Sequence, residues 1–287
     1  MSQSGLYFNK QQGLDFARLA IATDRCPPMP VSWIGSKWET RYNKFRRFME
    51  TGIPEWTLFV VGNSKLGDAI VAWSTLPDIT CPGAGTCLGF CYSFKAWRMP
   101  DAYFRQLQNT ILIIRQSPYI VKAFDRLPQN ADLRLYVDGD IDSVDTLEFW
   151  HRLLLTRRDI KAYGYSKSWQ VFREYTGPIA PNYWLNLSSG SRYEGDTDMK
   201  LAMLKLQRTR GEYIAISGLG KNQHREMPEE KRSMSWAQWS KRIKELALAQ
   251  GHTKVFVCPG NCQTCTPTGH ACGSERFKDI TIAIGVH

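Results

Sequence analysis

Seven of the eight cysteines in this 287-residue chain are confined to two short segments. They are Cys81, Cys87 and Cys91 in the first segment, and Cys258, Cys262, Cys265 and Cys272 in the second. Clustered thiols in a reducing compartment are interpreted first as metal ligands, because structural disulfides are disfavoured there. Glycines and prolines between these cysteines allow the sharp turns that direct several thiolates at one point. The eighth cysteine, Cys26, precedes two prolines and is expected to take no part.

Three kinds of chemistry compete for these thiols. A tetrahedral zinc ion takes four ligands from the second segment alone. An iron–sulfur cluster takes three thiolates from the first segment and one from the second, or four from either grouping. Disulfides are the third alternative. Neither spacing matches a zinc ribbon, since only Cys262 and Cys265 are separated by two residues, so a 4Fe-4S cluster is the leading expectation. His270 could replace a thiolate, although an ordinary loop histidine is the simpler interpretation.

The composition excludes two broad classes of protein. Hydrophobic residues make up 43% of the chain and aromatic residues 12%, enough to bury a large core, so a disordered chain is excluded. No run of about 18 apolar residues is present, and no membrane span is expected. The first ten residues lack a basic stretch followed by an apolar one, so we expect no secretory signal and a cytoplasmic protein.

Short apolar runs alternate with helical patterns along the chain. The runs rich in Val, Ile and Tyr lie at 57–61, 133–140, 160–168, 183–189, 212–217, 253–258 and 279–285. Helical periodicity occupies 101–116, 143–156 and 235–250. Alternating strands and helices predict an α/β fold with a parallel sheet. We expect an incomplete parallel β/α barrel over residues 57–287, with cysteine-rich loops at the C-terminal strand ends. Residues 1–56 are expected to form a basic, aromatic extension packed on the barrel.

Small polar residues follow the predicted strands. Because the C-terminal ends of barrel strands converge on one face, these residues predict a common cofactor-binding site, although small polar residues also simply begin loops. The predicted cofactor-binding residues are Asp138, Gly139, Asp140, Ser166, Lys167 and Ser188. The alternating Asp138, Asp140 and Asp142 could also bind a divalent metal ion, with loop solvation and helix capping as the simpler interpretation.

Several short motifs resemble known families. The Cys-Pro-Gly opening at Cys81, the Cys91–Tyr92 pair, Gly139–Asp140 and the run 165–168 resemble the gene-product-eighty-eight family of phages and plasmids over roughly 57–285. Three cysteines after the first strand of a β/α repeat are also similar to radical S-adenosylmethionine (SAM) enzymes. That resemblance implies a radical-SAM-like barrel with a 4Fe-4S cluster whose unique iron binds SAM. The usual cysteine gaps there are three then two, whereas here they are five then three.

The charge of the chain predicts a polyanionic partner. Lysine and arginine number 37 against 27 acidic residues, which gives a formal charge of +10. Bases interleaved with Trp and Tyr suit phosphates and stacked bases, although a solvated face over core aromatics is the plainer interpretation. The predicted nucleic-acid-binding residues are Lys37, Arg41, Lys44, Arg46, Arg47, Arg157 and Arg158. A further basic group lies at 221–244, and the glycine-containing run 217–221 could bind a phosphate or form a simple turn.

These features define three functional hypotheses. The first is an iron–sulfur protein that binds nucleic acid, DNA rather than RNA, in phage or plasmid replication or its control. The second is a radical SAM-type enzyme that modifies a nucleic acid or a peptide. The third is a zinc-stapled nucleic-acid-binding module. The chain has no paired His-x-His, no GxxxxGK[ST] loop and no GxSxG elbow, so the corresponding nuclease, ATPase and hydrolase chemistries are unsupported.

Overall fold

The computed structural model of the chain describes residues 9–62, 66–89, 91–216, 234–262, 265–267 and 269–285. Within these ranges the fold is mixed α/β. The helices are α1 (Lys10–Thr23), α2 (Lys37–Thr51), α3 (Ser93–Ala96), α4 (Pro100–Ile114), α5 (Pro118–Asp125), α6 (Val144–Thr156), α7 (Trp169–Glu174), α8 (Thr197–Lys205) and α9 (Trp236–Ala249). The strands are β1 (Val60–Val61), β2 (Ile70–Ala72), β3 (Asp132–Leu135), β4 (Lys161–Ser166), β5 (Tyr183–Ser188), β6 (Thr209–Ile216), β7 (Val255–Val257) and β8 (Thr281–Gly285).

All eight strands belong to one sheet. Their order is β1-β2-β3-β4-β5-β6-β8-β7, and every neighbouring pair is parallel except β1 with β2. The predicted α/β class and the largely parallel sheet are therefore confirmed. Closure of this sheet toward a barrel stays a prediction. No helix in the described part of the chain combines the length and apolar character needed to cross a membrane.

The strand that leads into the first cysteines is not the one that the sequence predicted. The run 57–61 contributes only the two-residue edge strand β1, which is antiparallel to its neighbour. The parallel strand before Cys81 is instead β2, which joins β3 in register through Val71 and Leu133. Three residues are too few to show a period-two pattern, and their strand conformation comes from pairing on both sides.

The basic, aromatic segment near the N-terminus folds onto the main core. In α2, capped by the Ser36 side chain, Trp38, Tyr42, Phe45 and Phe48 form the buried face. Their rings join those of α1 and α4 in one hydrophobic cluster. The aromatics of this segment are therefore core residues, which is the plainer of the two sequence interpretations, and Trp38 and Tyr42 are not stacking platforms for bases.

Alternating side chains give the sheet two different faces. One face carries Leu133, Leu135, Leu185 and Leu187 in the main core, together with residues of α4, α6 and α7. The same face continues across β6 and β8, where it packs against Trp239 of α9. We call this the helix-covered face. The opposite side is the inner face, defined by Arg134, Tyr163, Tyr165, Trp184, Asn186, Ser188, Tyr213 and Ile282.

Candidate metal and ligand site at the carboxyl edge of the sheet

The first thiol set, Cys81, Cys87 and Cys91, lies in the loop that follows β2. Hydrogen bonds attach this loop to the residues that follow the carboxyl end of β5. Gly85 donates its amide to the Gly190 carbonyl at 3.0 Å, and Arg192 donates its amide to the Gly83 carbonyl at 2.9 Å. Ala84 and Ser191 form an isolated antiparallel bridge. The loop therefore carries the thiols across the carboxyl edge from β2 to β5, where ligands of open parallel sheets bind.

Two glycines permit this close approach. A Cβ atom at Gly83 would collide with the Lys167 carbonyl. Gly190 has φ +80°, and a Cβ atom there would lie 2.8 Å from the Cys87 Cβ. A side chain at either position would push the first thiol set away from the ends of β4 and β5.

Asp140 organises the neighbouring loop ends. Its Oδ2 accepts the amides of Lys167 at 2.7 Å and Ser168 at 3.2 Å, and its Oδ1 accepts that of Ile141 at 2.8 Å. Lys167 Nζ in turn donates to Ser188 Oγ at 2.8 Å. The predicted cofactor-binding residues thus meet at this edge, but the Asp140 carboxylate already holds backbone amides and has a structural role. Whether any of them binds a cofactor stays a prediction.

The first thiol set shares one electrostatic environment. Burial raises the pKa of Cys81 well above its usual value, and the nearby Asp140 carboxylate raises it further. Burial also raises the pKa of Cys87, whereas the Lys167 ammonium lowers it. The neighbouring Cys91 also raises the pKa of both Cys81 and Cys87. Without a metal Cys81 and Cys87 are protonated at neutral pH, so metal binding would release their protons.

The second thiol set, Cys258, Cys262, Cys265 and Cys272, lies in the connection between β7 and β8. Burial raises the pKa of Cys272 to about 12, the Tyr165 hydroxyl and Arg210 lower it, and Cys258 and Cys265 raise it. Burial also raises the pKa of Cys265, and the neighbouring thiols of Cys258 and Cys262 raise it further. Cys258 therefore neighbours the other thiols of its own segment, and the seven cysteines divide into three and four.

A buried guanidinium lies beside the second thiol set. Arg210 is fully buried, and its Nε donates to Asn186 Oδ1. Its Nη1 donates to the Phe277 carbonyl at 2.9 Å and also to that of Ile280, and its Nη2 donates to the Glu212 carbonyl at 2.9 Å. All four acceptors are neutral. The ionisable groups near it are Cys272 and Tyr165, whose pKa values burial raises, and the exposed Asp279. A buried cation with only neutral acceptors is costly, and thiolates at Cys272 and its neighbours would offset that cost.

The thiol sets are not formed coordination spheres. Within the described ranges, no three His, Cys, Asp or Glu side chains are close enough together to hold a metal ion as they stand. None of the eight cysteines, all of which lie within the described ranges, forms a disulfide bond, so the disulfide alternative has no support. His270 accepts the Gly273 amide at its Nδ1, at 3.1 Å, and is thus engaged in its own loop. Three and four thiolates suit iron–sulfur clusters and zinc respectively, but ligation requires the thiols to turn toward a common point.

The predicted nucleic-acid-binding residues are distributed over other parts of the surface. Most of the arginines form salt bridges within the chain: Arg41 with Asp101, Arg46 with Glu50, Arg47 with Glu55, and Arg157 with Asp159. Lys37 begins α2, the ammonium of Lys44 lies 5.2 Å from the Trp56 ring, and Arg158 is exposed. Arg157 and Arg158 precede β4 and therefore lie at the amino edge, opposite the thiol sets. The run 217–221 and most of the basic group at 221–244 lie outside the described residues.

Sequence reasoning missed the charged residues of the inner face. Arg134 and Arg210 lie within strands, and Tyr163, Tyr165 and Tyr213 surround the first of them. In LRLYV, period-two alternation places Arg134 on the strand face opposite Leu133 and Leu135, and this was the available signal for Arg134.

The fold and the site together define an α/β protein with two groups of thiols near the carboxyl edge of a largely parallel sheet. Residues 56–278 match the family described as gene product 88, and the chain belongs to this family. The first of the two resemblances noted in the sequence is thereby confirmed. Searches of curated proteins and of solved structures returned no match, and the radical SAM resemblance has no support from them.

Proposed function

We propose that this chain is an iron–sulfur protein that binds nucleic acid. The first thiol set would hold a 4Fe-4S cluster at the mouth of an incomplete barrel, and the second would hold a structural zinc ion. The supporting observation is the division of the thiols, in which Cys258 neighbours Cys265 and Cys272. The second set then has four donors of its own, as structural zinc requires, and the first keeps three.

The surroundings of the first thiol set suit an anionic cluster. The Lys167 ammonium lowers the pKa of both Cys81 and Cys87, so it favours their thiolate forms. The Gly83 and Gly190 contacts hold the loop against β4 and β5, which limits the freedom that ligation would otherwise remove. Arg210 gives the second set a comparable positive neighbour.

Metal analysis of the anaerobically purified full chain tests this assignment. We expect about four iron and four sulfide per chain and about one zinc. Replacing Cys81, Cys87 and Cys91 together by Ser removes the iron and leaves the zinc. The double variant Cys262→Ser, Cys265→Ser removes the zinc and leaves the iron. The matched control is Cys26→Ser, which keeps both. Stoichiometric zinc without iron or sulfide overturns the iron assignment and favours the zinc-stapled module.

Nucleic acid is the proposed partner because of the formal charge of +10. We propose that the protein uses this binding in phage or plasmid replication or in its control. The test is a salt titration of binding to double-stranded DNA and to RNA of the same sequence. If phosphates are contacted, log K falls linearly with log salt concentration, with a slope near −0.9 per phosphate for B-DNA. A slope near zero removes phosphate contacts, and tighter binding to the RNA contradicts the preference for DNA.

The three-thiol first set also supports a second candidate, a radical SAM-type enzyme that modifies a nucleic acid or a peptide. A 4Fe-4S cluster on three thiolates has one iron without a protein ligand, and when bound it would supply an electron for reductive cleavage of SAM. Asp140 and the Lys167–Ser188 contact would shape the adjacent ligand site. The reduced, iron-loaded protein is incubated with SAM, and 5′-deoxyadenosine is measured. Formation of 5′-deoxyadenosine supports the enzyme hypothesis. If none forms at full iron loading, the enzyme hypothesis is rejected and the nucleic-acid-binding protein is retained.

A further inference from the structure

Arg134 is a buried cation at the centre of the inner face. It lies in β3, in register with Ala72 on one side and Tyr163 on the other. Its guanidinium carbon lies 4.7 Å from the centroid of the Tyr165 ring. The ionisable side chains around it are the phenols of Tyr92, Tyr163, Tyr165 and Tyr213.

The Arg134 guanidinium forms a hydrogen bond with the Tyr92 hydroxyl but is only partly satisfied. Its Nε is inaccessible to solvent and has no hydrogen-bond partner, and the same is true of the neighbouring Tyr163 hydroxyl. In the part of the chain that the structure describes, no carboxylate forms an ion pair with Arg134. The Asp138 carboxyl is near but accepts from Gln106 Nε2 at 3.0 Å. Unmade hydrogen bonds of buried charged groups are costly.

Arg210 provides the internal comparison. It lies on the same sheet and is also buried, but its Nε and both Nη atoms have acceptors. Every nitrogen of the Arg210 guanidinium therefore has an acceptor within the chain. At Arg134 two adjacent donors, one charged and one a phenol, are left without an acceptor. The missing group is one that accepts hydrogen bonds and carries negative charge.

We propose that Arg134 and Tyr163 bind an oxyanion, the carboxylate or phosphate group of a small-molecule ligand. A guanidinium pairs with either group through parallel N–H donors. Access is from the side of Tyr92, which is 52% exposed and follows Cys91 of the first thiol set. The ligand would therefore lie beside the proposed cluster. The site itself requires no metal, so it stands or fails separately from the proposed function.

The test is titration of the full chain with inorganic phosphate and, separately, with acetate, at fixed pH and ionic strength in chloride. Calorimetry gives the Kd, and thermal unfolding gives the Tm. We expect one of the two anions to bind and to raise the Tm above its value in chloride, and the anion that binds identifies the group. Arg134→Met should weaken binding at least tenfold, Arg134→Lys should weaken it less, and Tyr163→Phe should weaken it about threefold. Arg126→Met removes an exposed charge elsewhere and should bind as wild type.

The variants also separate ligand binding from a structural role. Arg134→Met should change the Tm in chloride little, because the loss of the hydrogen bond with Tyr92 is offset by the removal of a buried charge whose Nε has no partner, and it should keep the metal content. Tyr163→Phe removes only a hydroxyl without a partner, so it gives a second measurement if Arg134→Met does not fold. The proposal is overturned if neither anion binds the wild type more tightly than chloride. It is also overturned if Tyr163→Phe and every folded Arg134 variant bind as wild type does.

Discussion

The helix-covered face and the inner face come from the same strands but differ in chemistry. On β3, Leu133 and Leu135 enter the main core, whereas Arg134 between them points to the opposite side with the tyrosines. On β5, Leu187 is core and Asn186 hydrogen-bonds the carbonyls of Gly164 and Cys272. The comparison shows how a strand of four to six residues can contribute to the core on one side and carry polar and charged groups on the other.

The two faces also handle polar groups differently. The helix-covered face buries polar groups with a partner, such as the Trp150 Nε1 that donates to the Tyr136 hydroxyl at 3.0 Å, and also neutral groups without one, such as the Trp73 Nε1. The inner face leaves Arg134 Nε and the Tyr163 hydroxyl without partners. The inner face differs because one of its unpartnered atoms belongs to a buried guanidinium, and an unmade hydrogen bond of a charged group costs more than that of a neutral one, so this is the face where we expect a ligand.

The largest expected effect contrasts one aromatic residue from each face. Trp150 of α6 is fully buried and packs on Trp73, with ring centroids 5.2 Å apart. Trp150→Ala should lower the free energy of unfolding by about 3–5 kcal/mol, since it leaves a cavity. Tyr163→Phe should change it by less than about 0.5 kcal/mol or raise it, because the lost hydroxyl has no partner. Urea unfolding measures both, and equal losses would break the comparison.

A second prediction concerns a buried histidine, His151, that lies among the helices. His151 is buried, its Nδ1 accepts the Ala180 amide at 3.2 Å, and burial lowers its pKa to about 4. Between pH 6.5 and about 4 the unfolded chain binds a proton that the native chain does not, so stability falls as pH falls. His151 should account for up to about 3 kcal/mol of that loss.

The measurement is urea unfolding of wild type and of His151→Asn, which keeps an acceptor for Ala180, at several pH values across this window. The variant is expected to be less stable at neutral pH but to lose less stability on acidification. If the two stability profiles run parallel from pH 7 to pH 4, the histidine does not carry the effect.

The smallest expected stability effect tests how the first thiol set is attached. Gly83→Ala forces the loop away from the Lys167 carbonyl and should cost about 1–3 kcal/mol, the usual range for overpacking. Gly89→Ala, in the same loop, meets nothing within 4 Å and should be neutral. We also expect Gly83→Ala to reduce iron retention after desalting while Gly89→Ala retains it. If the two variants retain equal amounts of iron, metal binding does not depend on the attachment of the loop to β4.

Much of the architecture could be predicted from hydrophobic periodicity. The runs after residue 130 became strands, and the helical patterns near Asp101, Ser143 and Ser235 became α4, α6 and α9 within one or two residues of the predicted bounds. These elements carry their own periodicity, capping residues and apolar faces. The strand β2 could not be predicted in this way, because only its pairing with β1 and β3 distinguishes it from a loop.

The site was harder to predict than the fold. The grouping of thiols within each segment follows from spacing, but that the first loop would reach Gly190 depends on contacts between residues more than a hundred positions apart. Charge alone suggested that the bases of α2 face a partner, yet Arg41 and Arg47 pair with Asp101 and Glu55 of the same chain. Arg134 escaped notice because partners, or their absence, are visible only in three dimensions.

The strand order β6-β8-β7 has a consequence for how the chain folds during synthesis. In the described part of the chain β7 pairs with β8 alone, and β8 fills the space between β6 and β7. A nascent chain that has emerged only as far as Cys272 therefore has no strand for β7 to join. β7 therefore joins the sheet only after Thr281–Gly285 leaves the ribosome and docks, so the connection that carries the second thiol set closes late in the life of the new polypeptide.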